Sequence, residues 1–480
     1  MPEVSLAAAD RQASTRGRVL RAIIVPLAGA VVWITPVPAG IEAPAWRLFS
    51  IFVAIVVGLI ARPAPAGAIV LLGVVAAAAT GVLTPGEALA GYADPTVWMV
   101  FCAFQIAGGM IKTGFGRRVA LTFIRAIGHT PLRLAYALVA TDTVFGMVIP
   151  SVTARSGGIL FPISKSLAQA YDSGGAPVGR GLGAFLLPVV YHCDLIVCAM
   201  FLTGQASNPL IASFARQATG IELTYVRWAL GAFVPGLLAL VITPLLLSYV
   251  SPPGRTSTPE ALEFVKRDIA RLGRMTRPEW SMLGVFLFVT VLWSTNALHR
   301  LDYAVVALLG VAAMLVTRVL DWEDVLADRV AWDVFLWYGG IYQLASALAG
   351  TGIAKVFTQT AEGYVAGPWG VTLAALLLVY FYAHYGFASI TAHASAMYPA
   401  FLLVLTATGT PDIVAVLTLA YLSSLAASLT HYGTTSTPMY YGAGYLTQSA
   451  WWKVGFLVSV LNLVIWTVVG MAWWKVLGWW

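Results

Sequence analysis

Charge is scarce in this sequence of 480 residues: Asp, Glu, Lys and Arg make up only 10% of it, whereas hydrophobic residues make up 59%. A soluble chain of this length would need far more charge on its surface. Apolar stretches of roughly 18–22 residues recur from end to end, which is the length that crosses the hydrocarbon core of a bilayer. Because these stretches are continuous rather than alternating, they predict an all-α membrane protein and not a β-barrel.

Cysteine is also scarce, and Cys102, Cys193 and Cys198 all lie in apolar segments. None has histidine support at metal-ligand spacing, so we interpret them as buried small residues. The sequence contains no nucleophile–base constellation either. We therefore expect no enzyme, no metal and no cofactor.

The net charge of +7 does not indicate nucleic-acid binding, because the basic residues cluster in short loops, as the positive-inside rule requires of cytoplasmic loops. The first span has no convincing cleavage site and is interpreted as an uncleaved helix. We expect an inner-membrane protein with a cytoplasmic N-terminal segment over 1–20. The three basic clusters are Arg11, Arg16, Arg18 and Arg21; Arg117, Arg118, Arg125 and Arg133; and Arg255, Lys266, Arg267, Arg271, Arg274 and Arg277.

Eleven full spans are predicted, with a hydrophilic cytoplasmic linker over 251–279 that divides the chain into halves at 21–250 and 280–480. Two further apolar stretches, 132–170 and 371–408, are interrupted midway by a polar patch and are typical of hairpins that enter the membrane and turn back. The full spans are predicted at 21–38, 45–62, 66–83, 95–113, 182–202, 228–249, 280–297, 303–320, 332–350, 412–430 and 452–474.

The two halves repeat short motifs in the same order. The Gln105 motif recurs at Gln343, and the Ser-Val-Thr-Ala-Arg that begins at Ser151 recurs as Ser-Ile-Thr-Ala-His from Ser389, both at an offset of 238 residues. A third pair, GQASNPL and GTTSTPM, begins at Gly204 and Gly433, at an offset of 229. Counting spans makes the hairpin 132–170 open inward and the hairpin 371–408 open outward, so we expect an inverted repeat, which is typical of secondary transporters.

The repeated Ser-x-Thr motifs predict two anion-binding tips. A broken helix inside the membrane exposes N–H groups and the positive end of its dipole, which attract an anion. Ser151 with Thr153, and Ser389 with Thr391, can cap these ends and donate to a carboxylate. Two such tips would grip a dicarboxylate of about four or five carbons. The alternative is that the hydroxyls only bond back to their own helices.

The third repeated pair predicts two interrupted spans that line the same cavity. Proline cannot donate a backbone hydrogen bond and breaks a helix, which would free carbonyls next to polar side chains. A purely structural kink is the alternative. The candidate residues are Ser207, Asn208 and Pro209 in the first half, and Thr434, Ser436, Thr437 and Pro438 in the second.

Arg155 and His393 occupy equivalent positions, each two residues after a tip threonine. An arginine at membrane depth normally faces a pathway or a partner. Together with a protonated His393 it would neutralise a dianion, and uncompensated positive charge would stall the empty carrier, which predicts obligatory exchange. Asp142 and Asp194 are left open as proton or cation sites or as partners of a neighbouring basic or hydroxyl group.

The tips, from Pro150 to Gly158 and from Ser389 to His393, together with the segment from Ser428 to Thr434, resemble the divalent anion:sodium symporter (DASS) family. They look like its exchanger branch, with 2-oxoglutarate/malate translocators and citrate/succinate or tartrate/succinate antiporters. The resemblance covers the chain from about residue 20 onward. It implies a homodimer of protomers with eleven spans and two re-entrant hairpins, in which a transport domain slides against a scaffold domain like an elevator.

The family's Ser-Asn-Thr signature departs here at two positions, because Val152 and Ile390 replace the asparagines that help to build its sodium sites. An aliphatic side chain cannot coordinate Na⁺, so the resemblance favours a sodium-independent antiporter of dicarboxylates, in which Arg155 and His393 replace the sodium ions. A sodium- or proton-coupled symporter of di- or tricarboxylates, or of sulfate, is the alternative.

Overall fold

The computed structural model describes residues 19–172, 179–254, 256–349, 351–353, 356 and 367–480. The first eighteen residues of the predicted cytoplasmic segment, and Arg255 of the linker, lie outside the described residues. Every regular element in the described part of the chain is helical. The predicted all-α fold class is confirmed.

Within 19–172, 179–254 and 256–272 the chain forms twelve α-helices, counting the one in the linker, and they include short connecting helices as well as long ones. They are α1 (Val19–Ile34), α2 (Ala43–Ala61), α3 (Ala66–Ala79), α4 (Pro85–Leu89), α5 (Pro95–Thr113), α6 (Phe115–Ile127), α7 (Pro131–Gly146), α8 (Phe161–Asp172), α9 (Leu182–Met200), α10 (Asn208–Thr219), α11 (Tyr225–Val250) and α12 (Pro259–Leu272).

The second half continues the same pattern within the described residues. Its helices are α13 (Arg277–Ser294), α14 (Asn296–His299), α15 (Tyr303–Val316), α16 (Trp322–Ala327), α17 (Arg329–Ala349), α18 (Trp369–Ala383), α19 (Ile390–Ala407), α20 (Asp412–Leu425), α21 (Thr437–Gly442), α22 (Gln448–Val464) and α23 (Gly470–Val476).

Each of the eleven predicted spans contains a helix, and each predicted hairpin contains two helices separated by a break. Seven helical stretches of the described chain are long and apolar enough to cross a membrane, and shorter apolar helices accompany them. Every residue of α9 is buried, so this helix lies in the interior of its own compact unit. The side of the membrane to which each hairpin opens stays a prediction.

Two of the predicted basic clusters lie next to each other. Arg118, on α6, donates from Nε to Glu279 Oε1 at 2.6 Å and from Nη1 to the carbonyl of Gly273 at 3.0 Å. Arg117, one residue earlier, pairs with Asp268 of α12. The linker helix therefore packs against α6, and the cytoplasmic side of both clusters stays a prediction.

The chain divides into two compact units. One comprises the chain up to Trp98 together with 329–366, and its helix α17 packs against α3. The other comprises 99–328 and 367–480, and it contains every candidate site residue. Each unit contains segments from both predicted halves, so the two halves are not the two compact units. The internal duplication of the halves stays a prediction.

Candidate functional site

The first tip lies where the hairpin 132–170 reverses. Helix α7 ends at Gly146, and the chain resumes a helical path at Val152, first as a π-helical turn and then as α8. Ser151 is buried, and its Oγ accepts from the N–H of Ala154 at 3.1 Å. The side chain of Thr153 is exposed. Ser151 thus caps the returning helix, while Thr153 offers its hydroxyl outward.

The second tip has the same local design. Helix α18 ends at Ala383, and α19 begins at Ile390 after an extended Ser389. The Oγ of Ser389 accepts from the N–H of Ala392 at 3.3 Å, three residues on, as in the first tip. Ile390 is buried and Thr391 is half-buried. The capping predicted for both serines is therefore present in both tips.

The first interrupted span breaks between α9 and α10. Pro209 lies in the first turn of α10, where a proline needs no donor, so it begins the second helix rather than kinking one long helix. The Nδ2 of Asn208 donates to the carbonyls of Cys198 at 2.7 Å and Phe201 at 2.9 Å. The Oγ of Ser207 donates to Gln205 Oε1 at 2.7 Å. Ser207 and Asn208 are fully buried, so in this conformation they hold the break together.

The second interrupted span breaks before α21, whose first turn contains Pro438. Thr434 Oγ1 lies 2.8 Å from Thr437 Oγ1 and 3.0 Å from Ser436 Oγ, and all three residues are buried. Thr437 Oγ1 also donates to the hydroxyl of Tyr191, on α9, at 2.9 Å. These hydroxyls stabilise the break, whereas the ring of Pro438 is exposed.

The structure brings the first tip against the second interrupted span. Thr153 Oγ1 lies 2.7 Å from Thr435 Oγ1, and both side chains are exposed. The hydroxyl of Tyr440 donates to the carbonyl of Ser156 at 3.0 Å. Sequence reasoning missed Thr435, because the repeat pairs it with the apolar Ala206, and Tyr440, because it follows the repeated motif. Only the packing of α21 on the first tip reveals them.

Arg155 lies behind the first tip and is completely buried. A guanidinium has five N–H donors, and each of them has an acceptor here. The acceptors are Asp142 Oδ1 at 2.7 Å, the carbonyls of Ile149 at 2.8 Å and Gly204 at 2.7 Å, Asp194 Oδ1 at 2.7 Å and Cys198 Sγ at 3.3 Å.

This geometry corrects the expectation that Arg155 carries uncompensated positive charge. Two carboxyl groups, on α7 and α9, pair with the one guanidinium, and all three side chains are buried. Of the roles left open for Asp142 and Asp194, pairing with a basic group is the one observed. In this conformation Arg155 therefore connects the first tip to the first interrupted span and has no surface at which to contact a solute.

His393 likewise lies behind the second tip and is fully buried. Its Nε2 is 2.9 Å from the carbonyl of Tyr380. A carbonyl only accepts hydrogen bonds, so Nε2 carries the proton. The ring packs against Phe387 and His384 at centroid distances of 5.2 and 5.0 Å. The expected direct neutralisation of a dianion between Arg155 and His393 is not the arrangement seen here.

His384, instead, makes the contact that corresponds to that of Arg155. Gly204 and Gly433 are equivalent by the repeat; Arg155 donates to the carbonyl of Gly204, and His384 Nε2 lies 3.0 Å from the carbonyl of Gly433. Each hairpin thus bonds the interrupted span of its own half through a basic side chain. The repeat aligns Arg155 with His393, so the sequence motifs did not indicate His384 for this contact.

The chain is similar to known proteins along nearly its whole length. The family described as "Sodium:sulfate symporter transmembrane region" matches residues 17–480, which is nearly the whole chain. The chain belongs to the divalent anion:sodium symporter family. It is thereby a multi-pass membrane transporter, as the repeated tips indicated.

Three relatives illustrate the match. The chain is 41% identical to "Putative malate transporter YflS" of Bacillus subtilis, over 95% of this chain and 96% of that protein. It is 40% identical to "Dicarboxylate transporter 1, chloroplastic" of Arabidopsis thaliana, over 97% and 84%. It is 32% identical to "Inner membrane protein YbhI" of Escherichia coli, over 95% and 98%.

One solved structure is similar in fold. The YdaH transporter of Alcanivorax borkumensis matches with a TM-score of 0.51 over 97% of this chain and 98% of that one. At 12% sequence identity this similarity concerns the architecture alone.

Proposed function

We propose that the protein is a sodium-independent antiporter of small dicarboxylates, such as malate, succinate or 2-oxoglutarate, in the inner membrane. Two relatives that span nearly the whole chain are named for malate and for dicarboxylates, which supports this substrate class. The two capped tips add chemical support, because each presents the N-terminal end of a helix, which favours carboxylate groups.

The observation that carries the proposal is the position of the Arg155 guanidinium. Its Nη1 donates to the carbonyls of Ile149, in the first tip, and Gly204, in the first interrupted span. Oxygen atoms of this kind are the ligands that hard cations take in proteins. Because Arg155 bonds both carbonyls, they are engaged and less available to a sodium ion, and the neighbouring Val152 supplies no side-chain oxygen.

We attribute exchange to the polar groups of the tips and not to an uncompensated positive charge on Arg155. In the empty carrier, the polar helix ends and the exposed hydroxyls of Thr153 and Thr435 lack an anionic partner. Polar groups that lack a hydrogen-bond partner are costly to move past lipid, and a bound carboxylate would satisfy them by accepting their hydrogen bonds. We propose that the loaded unit moves in an elevator fashion within a homodimer whose N-termini are cytoplasmic, and that the empty unit stalls.

The test is counterflow in proteoliposomes. Vesicles preloaded with unlabelled malate, succinate or 2-oxoglutarate receive labelled acid outside, in choline buffers with and without Na⁺. We expect rapid uptake that is unchanged by Na⁺ and little uptake into vesicles that contain no counter-substrate. Uptake that requires Na⁺, or robust net uptake into empty vesicles, would instead support the symporter alternative. The matched family is described as a sodium symporter, which is the reason to keep this alternative in the test.

A further inference from the structure

Behind the first tip, Asp142, Arg155 and Asp194 form a triad that is closed to solvent. The side chains of Arg155 and Asp194 are 0% exposed and that of Asp142 is 2% exposed. Each aspartate gives Oδ1 to the guanidinium at 2.7 Å. Each also keeps a buried Oδ2 that has no hydrogen-bond donor among the described residues.

The charges of this triad do not balance if both carboxyl groups are ionised. One guanidinium and two carboxylates sum to one negative charge, in a site from which water is excluded. The guanidinium has no N–H left for the two remaining oxygens, since all of its donors are used. Buried charges that lack a partner are so costly that the group neutralises instead.

The groups that face the triad do not supply the missing charge. On α9 these are the thiols of Cys193 and Cys198 and the hydroxyl of Tyr191, which donates to the carbonyl of Ala427 at 2.8 Å. On α21 it is Tyr440, whose hydroxyl bonds Ser156. The ring of His192 packs on Tyr191 and Trp451, at centroid distances of 5.1 and 6.2 Å.

We propose that the triad is a proton-binding site, in which one proton is shared between the Oδ2 atoms of Asp142 and Asp194. One carboxyl group then donates its O–H to the other, which satisfies both orphaned oxygens with a single hydrogen. The two carboxyl groups bond Nε and Nη2 of the same guanidinium, at 2.7 Å each, which holds them side by side as this sharing requires. The triad is then neutral, so its proton accompanies the first tip as a fixed part of the protein.

A neutral triad has a consequence for the anion, and this consequence rests on the proposed function. Loss of the shared proton would leave one negative charge directly behind the first tip. That charge would repel a dianion bound there, so binding is stronger with the proton than without it. Substrate affinity should therefore fall as the pH rises through the range in which the triad loses its proton.

The experiment is infrared spectroscopy of the purified full chain at pH 8, in a detergent without ester groups. Exposed carboxyl groups are ionised at this pH, so only a buried protonated acid absorbs as a carboxylic C=O. We expect one such band in the wild type and its loss in both Asp142→Asn and Asp194→Asn, because Arg155 ionises the aspartate that remains. Asp268→Asn is the matched control, since Asp268 is 6% exposed and pairs with a single arginine, and it should keep the band.

Each result decides the proposal. A wild-type protein without the band, or a band that survives in both asparagine variants, overturns it. Thermal unfolding gives a second readout: the single variants should unfold within a few degrees of the wild type, whereas the double variant, which leaves Arg155 without a counter-charge, should lose several degrees more. Single variants as unstable as the double one would mean that both carboxylates are ionised. The outcome does not depend on which anion is carried.

Discussion

The substitution Arg155→Lys separates two roles of this side chain. If Arg155 served as a fixed positive charge for the substrate, lysine would preserve that charge. In the structure, Arg155 is instead a buried fork whose five N–H groups bond two carboxyl groups, two carbonyls and a thiol. An ammonium group has three donors and cannot reproduce the planar fork.

The cost can be worked from these contacts. At least two of the five acceptors lose their donor in the lysine variant, and each buried unsatisfied group costs about 1–3 kcal/mol. We therefore expect a loss of about 2–6 kcal/mol in the free energy of unfolding, even though the charge is unchanged. Detachment of the first tip from Gly204 should also abolish exchange.

The assay is thermal unfolding of purified protein together with counterflow of labelled dicarboxylate. Arg117→Lys is a matched control, because Arg117 also pairs with an aspartate but its side chain is 51% exposed. The control should unfold and transport like the wild type. If Arg155→Lys did so too, the buried fork would not be what holds the tip, and the reasoning would be refuted.

Three further predictions test neighbouring contacts. A Cβ at Gly433 would lie 2.5 Å from the carbonyl oxygen of Ala427, so Gly433→Ala should lower the unfolding temperature and the rate of exchange. Gly284→Ala, whose Cβ would meet open space within α13, should lower neither, and equal behaviour of the two variants would contradict the close approach. His384→Phe keeps a ring but leaves the Gly433 carbonyl without this donor, so calorimetry should record a loss of about 1–3 kcal/mol in the free energy of unfolding. An unchanged transition would show that the hydrogen bond from His384 does not stabilise the interrupted span. Thr435→Val removes an exposed hydroxyl, so the free energy of unfolding should stay within about 0.5 kcal/mol of the wild type. The half-saturation concentration for dicarboxylate should rise several-fold in counterflow, and an unaltered value would place Thr435 outside the site.

The helices and the tips were readable from the sequence because their signals are local. A span is recognised from about 20 consecutive apolar residues, and each predicted span contains a described helix, whereas short connecting helices such as α4 and α16 lie between such stretches. Ser151 and Ser389 cap helices that start within three residues of them, so the repeated motif was enough to predict both caps. The matched family confirms the resemblance drawn from the same motifs.

The partners of the buried basic groups were not readable in this way. Asp142 and Asp194 lie 13 and 39 residues from Arg155, on helices whose relative rotation depends on the packing of the whole bundle. Likewise, the repeat equates His393 with Arg155, but the path of α18 and α19 presents His384 to Gly433. Apolar length and repeated motifs determined the membrane fold, the tips and the family. Tertiary packing alone decided that the charge of Arg155 is compensated, because ion pairing in a protein interior depends on distances of a few ångströms between residues that are remote in the chain.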